Sequence, residues 1–172
     1  MRAQVAKLTE GAPYCRRHCV NPHLHDTVDY QGSSYRVEGI LDYGLGGRVL
    51  RLGRLCAGSE VRYLEIPGGD LVDRVLLLAE IPALDITTPP PATIYHDGES
   101  FLLKLSGTAE VAVAGRVPDR APGRCTLWRY RAAGGRFLQI EAWPDAVRML
   151  AGASVHRSMI EIRPATPETR PG

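Results

Sequence analysis

Tyr30-Gln-Gly-Ser-Ser-Tyr35 and Tyr95-His-Asp-Gly-Glu-Ser-Phe101 decide how this chain is read. In each, an aromatic residue leads into a polar, glycine-containing turn, and a second aromatic opens an alternating strand. The second stretch follows the first by about 66 positions. A recurrence of that length predicts two similar β units packed side by side, each burying what the other exposes. Gly68-Gly69 and Gly134-Gly135, each between apolar runs, extend the echo. The expected fold is all-β: two similar antiparallel units, barrel- or sandwich-like, with at most one short helix.

Working outward, the chain divides into a polar N-terminal segment (1–26), a first β unit (27–86), a proline-rich connector (87–91), a second β unit (92–163) and a tail (164–172). Consecutive prolines at 89–91 fix φ and forbid ladder hydrogen bonds, which makes the connector stiff. Val75-Leu-Leu-Leu-Ala79, the longest apolar run, reads as a buried strand. Asp97-Gly98, Ser106-Gly107, Pro122-Gly123 and Gly134-Gly135 read as turns. After Trp143, Pro144 at a first helical turn, Val147 and Leu150 three apart and Gly152 at the stop favour one short helix over 144–151, with a strand interrupted by Pro144 as the competing reading. Alternation places Val37, Ile40, Leu64, Ile66, Val75, Leu77, Ile81, Leu103, Val111, Leu127, Leu138, Ile140, Ile160 and Ile162 in the core.

Composition narrows the partners. The formal net charge is +2, with lysine only at positions 7 and 104. The excess positive charge lies in the N-terminal segment, so the β region offers no basic footprint for nucleic acid. Trp128-Arg-Tyr-Arg131 has the local look of a base-stacking strand, yet alternation sends both aromatics to one face and both arginines to the other. No run approaches the roughly 20 apolar residues of a membrane span. The first eleven residues lack a signal peptide's apolar segment, so the expected compartment is the cytoplasm, with reduced cysteines.

Reactive side chains are densest in Cys15-Arg-Arg-His18-Cys19-Val-Asn-Pro-His23-Leu-His25. Thiolate and imidazole are what tetrahedral zinc takes, so Cys15, His18, Cys19, His23 and His25 are the candidate metal ligands. Their spacing is not that of a finger or ribbon, and no second cysteine pair follows, so incidental residues in a leader are the simpler reading. Ser100 with His96 and Asp97 could form a nucleophile and base, but His96-Asp97-Gly98 reads better as a hairpin turn, and no nucleophile elbow occurs. Asp26 with Asp29, and Asp70 with Asp73, read as turn and solvent residues. No phosphate loop, dinucleotide fingerprint or metalloprotease helix is present. No catalytic residue and no cofactor is therefore assigned.

Tyr35-Arg-Val-Glu-Gly-Ile-Leu-Asp-Tyr43, Ala109-Glu-Val-Ala-Val-Ala-Gly115 with Pro118, Trp128-Arg-Tyr130 and Ile140-Glu141 carry a resemblance. Over about residues 28–163 the chain resembles a bacterial β-rich domain family of unknown function. Members of that family are often encoded beside genes resembling S-adenosylmethionine decarboxylase, spermidine synthase, small membrane channels and phage-shock-type coat proteins. Arg48-Val-Leu-Arg-Leu52 departs from its pattern, where an aromatic and an acidic-tyrosine pair are usual. The resemblance implies an accessory role in a membrane-stress or polyamine-linked system. The expected function is a non-catalytic adaptor that binds a protein partner, reaching a membrane only through that partner. The alternative is a small-molecule binder or enzyme with its site between the two β units.

Overall fold

In the computed structural model the chain is described over residues 21–67, 73–118 and 120–166. These residues form eleven strands and no α-helix: β1 (Thr27–Tyr30), β2 (Ser33–Leu45), β3 (Arg48–Ala57), β4 (Glu60–Glu65), β5 (Arg74–Ile81), β6 (Thr93–His96), β7 (Glu99–Gly115), β8 (Gly123–Arg131), β9 (Arg136–Ala142), β10 (Val147–His156) and β11 (Ile160–Arg163). All pairings are antiparallel, in the order β11-β1-β2-β3-β4-β5-β10-β9-β8-β7-β6. β2 also pairs with β7, over Gly39–Gly44 and Glu110–Gly115, which closes an eight-strand barrel. The all-β expectation holds, as does its barrel alternative.

Turn chemistry sets the strand ends. β1 joins β2 through Gln31-Gly32, and β6 joins β7 through Asp97-Gly98, all four residues with positive φ. Such two-residue turns match the right-handed twist of the strands they connect. Val28 faces Tyr35 across the first hairpin and Ile94 faces Phe101 across the second, and all four are buried. β2 slips register between Val37 and Gly39, and β7 between Leu103 and Leu105. A bulge bends its strand. Each long strand thereby passes from a short hairpin partner at one end to the closing pair at the other.

Both faces of the barrel wall are packed. Leu41, Tyr43, Leu52, Tyr63, Leu78 and Leu127 belong to a cluster drawn from strands all around the barrel, and this cluster fills the interior. Outside, Val28 and Ile160 from β1 and β11 cover Leu55, Leu64 and Leu77. On the other side Ile94 and Phe101, with Leu84 and Ile86 from the segment between β5 and β6, cover Trp128, Tyr130, Leu138 and Ile140. Ten of the anticipated core residues are buried, while Ile66, Ile81, Leu103 and Ile162 are partly so.

Two expectations are corrected. The helix over 144–151 does not form: the Trp143 amide donates to the Ala146 carbonyl (2.8 Å) to make a tight turn, and β10 follows at Val147. β10 has strand neighbours on both sides, and that ladder outweighs a two-turn helix's weak intrinsic preference. Ser106-Gly107 is not a turn, because β7 runs unbroken through it beside β8. Gly134-Gly135 joins β8 to β9 as a turn, while Gly68-Gly69, the other half of that echo, lies outside the described residues.

Candidate functional site

The polar centre of the molecule is Glu141, carried inward by β9 and fully buried. Its carboxylate accepts four hydrogen bonds: from Tyr43 Oη (2.9 Å) and Gln139 Nε2 (2.8 Å) on one oxygen, and from Trp143 Nε1 (2.9 Å) and Arg120 Nε (3.0 Å) on the other. Arg120 reaches this point from the β7–β8 connection, whose Val117 is buried against the interior cluster. Its side chain is 1% exposed, and its Nη1 donates to Tyr63 Oη at 3.1 Å. Burying two charges costs several kcal/mol per ion, offset only by close geometry and further hydrogen bonds. Four donors supply that offset for Glu141.

The titration behaviour follows. Burial, with the Glu141 charge beside it, lifts the Tyr43 hydroxyl well above its ordinary range. The same two causes push the Cys125 thiol up to about 12. Burial works against the charge on Arg120, but attraction to Glu141 and to the Tyr63 and Tyr43 hydroxyls leaves its pKa raised. Arg120 therefore keeps its charge at ordinary pH, and the Tyr43 hydroxyl and Cys125 thiol beside it stay protonated.

Two further ion pairs line the same inner wall. Arg129 grips Glu65 with two nitrogens, at 3.1 and 2.7 Å, across the barrel from β8 to β4. Arg54 bonds Glu38 (3.0 Å) and Cys56 Sγ (2.8 Å). At the mouth above Arg120, Glu80 Oε1 lies 3.9 Å from Arg120 Nη2 and 4.0 Å from Arg148 Nη1. A separate cleft of about 450 Å³ opens beside Arg120, between the 120–124 segment and the Trp143–Asp145 turn.

Outside the barrel, a groove of about 400 Å³ crosses β5 and β10. Ala79 and Ala151 are part of its floor, with Tyr30 and Arg62 on one flank and His96 and Arg136 on the other. The β6–β7 hairpin beside it buries one face and bares the opposite one. Tyr95 is 74% exposed and Leu102 48%, in the adjacent pairs Tyr95–Ser100 and Thr93–Leu102. Among the described residues β6 pairs with β7 alone, so its other edge is open.

Of the candidate zinc ligands, Cys15, His18 and Cys19 lie outside the described residues. His23 sits with Nδ1 3.6 Å from Asp26 Oδ2, and His25 Nδ1 is 3.3 Å from Arg36 Nη2. Among the described residues no group of three potential ligands converges. Asp97-Gly98 forms the hairpin turn read for it, and Ser100 is exposed on β7 beyond it. Trp128 and Tyr130 do share a buried outer face, while Arg129 points inward to Glu65. Glu141 and Arg120 escaped the sequence reading. With Leu138 and Ile140 taken as the core face, Glu141 falls on what looks like the solvent face, and only closure of the barrel buries it.

The model of one family, described as a domain of unknown function, matches residues 23–157. The chain belongs to that family, DUF4178. The DUF4178 match takes in β1 through β10, and with them Tyr43, Tyr63, Arg120 and Glu141; β11 lies beyond it. Neither a curated protein nor a solved structure matches the chain. Among the described residues no helix is long and apolar enough to cross a membrane.

Proposed function

We propose that this protein is a non-catalytic accessory protein that docks a protein partner along the β6–β7 hairpin, in a membrane-stress or polyamine-linked system. The observation that carries the reading is the hairpin's open edge next to exposed Tyr95 and Leu102. An unpaired edge offers main-chain hydrogen bonds to an added strand, and alternate side chains give that strand its specificity. The packed interior supports the same reading, since side chains fill the space a barrel ligand would need. The genomic company belongs to the resemblance and is what the experiment uses first. Copurification with products of neighbouring genes, with a photoreactive residue at Tyr95, should give one crosslinked partner, and Tyr95→Asp should abolish capture. Absence of any specific partner at micromolar concentration would contradict the proposal.

We read the barrel as two copies of one five-strand unit, β1–β5 and β6–β10. The paired turns at Gln31-Gly32 and Asp97-Gly98, and the bulges after Val37 and Leu103, support this. The groove over β5 and β10 then lies between the copies. It favours the second reading, a small-molecule binder, which ligand screening against wild type and His96→Ala would test. We assign no cofactor. Elemental analysis of untagged protein should find no zinc; about one per chain would restore Cys15, His18 and Cys19 with His23 or His25 as ligands.

A further inference from the structure

The barrel mouth holds two guanidinium groups whose buried nitrogens lack an acceptor: Arg120 Nη2 and Arg148 Nε. Arg120 is 1% exposed and Arg148 16%, so bulk water does not freely solvate either. Arg120 Nη2 and Arg148 Nη1, the latter on the same guanidinium as the orphaned Nε, lie 3.9 and 4.0 Å from one carboxylate oxygen, Glu80 Oε1, beyond hydrogen-bond length. Glu80 itself is 46% exposed. Elsewhere in this barrel arginine pairs closely: Arg129 holds Glu65 and Arg51 holds Asp42, each through two nitrogens. At the mouth the donors are in place, and the acceptor stands about an ångström too far from both.

A buried donor without an acceptor costs on the order of 1–3 kcal/mol. Arg120 cannot turn away to find one, because its Nε is held by Glu141 and its Nη1 by Tyr63. Planar guanidinium forks match oxyanions. We propose that Arg120 and Arg148 form a binding site for a small oxyanion group, a carboxylate or a phosphate, whose oxygens take the place that Glu80 now holds loosely. Glu80 acts as the displaceable occupant. It keeps the two cations from facing each other when the site is empty, and it swings toward solvent when the ligand enters. The roles are distinct: Arg120 is fixed by the interior, Arg148 completes the pair, and Glu80 competes with the ligand.

The full-length protein is titrated with acetate and, separately, with inorganic phosphate at constant ionic strength, while the arginine Nε–H signals are followed by nuclear magnetic resonance. The Arg148 Nε signal should shift saturably with at least one of them. A response to acetate alone assigns a carboxylate ligand, and a response to phosphate alone or to both assigns a wider oxyanion site. Glu80→Gln, which removes the competing charge from an exposed side chain, should tighten binding severalfold. Arg148→Met should abolish it while leaving the melting temperature close to that of Glu80→Gln. No saturable shift with either anion would overturn the proposal, as would equal affinities in wild type, Glu80→Gln and Arg148→Met.

Discussion

Glu141 holds Arg120 inside the barrel, and neither can be lost alone without stranding the other. Glu141→Ala leaves a buried guanidinium with only Tyr63 as acceptor. Breaking a buried pair from one side costs roughly 3–5 kcal/mol. Urea unfolding should show a loss of that size, and the Glu141→Leu, Arg120→Met double variant should lose less than the two single changes added together. Equal additivity would mean that the two side chains do not act as a pair. Cys125 makes a separate prediction in pH. Its thiol pKa is raised from 9.0 unfolded to about 12 folded. Between those values the folded state keeps a proton that the unfolded state releases, so the contribution is full below about pH 9 and is lost as pH rises toward 12. Cys125→Ala should flatten the fall in stability over that window; an unchanged slope would remove Cys125 as its source.

At the scale of elements, the two outer cores are independent packings. Leu77 belongs to the one under β1 and β11, and Ile140 to the one under β6. Replacing either by alanine should cost about 2–5 kcal/mol. Because they share no cluster, the double variant should lose close to the sum. Gly152 is tighter still: a Cβ there would strike the Leu77 carbonyl oxygen and lie 2.8 Å from Leu78 Cα, on the partner strand β5. Gly152→Ala should therefore push β10 away from β5 and lower the denaturation midpoint. A midpoint within error of wild type would show that the two strands stand further apart than described. The hairpin turns at 31–32 and 97–98 were legible because only particular residues tolerate positive φ in consecutive positions. The segment after Trp143 was not, because local helix signals compete there with two ladders that connect it to residues far away in sequence.

For the whole molecule, the alternation pattern predicted strands and located one buried face, and for Leu64, Leu77, Leu138 and Ile140 that face is the outer one. The opposite face carries Tyr63, Leu78, Gln139 and Glu141, buried inside the barrel. Alternation tells two faces apart but does not say that both are covered. Closure between β2 and β7 is a contact about 70 residues apart, between strands with no shared turn, so nothing local announces it. For the same reason neither Arg120 nor Glu141 stands out in the sequence as a core residue. Their pairing depends on a loop that enters an interior the sequence pattern does not reveal.

The barrel is closed between β2 and β7, and β6 is its proposed docking edge. Backbone hydrogen exchange, measured with and without the crosslinked partner, tests both. The closing residues Gly39–Gly44 and Glu110–Gly115 should exchange slowly in both states. Thr93–His96 should exchange quickly alone and slow down on partner binding, with little change elsewhere in the barrel. Fast exchange across the closing pair would contradict the barrel, and protection that appears away from β6 would contradict the docking edge.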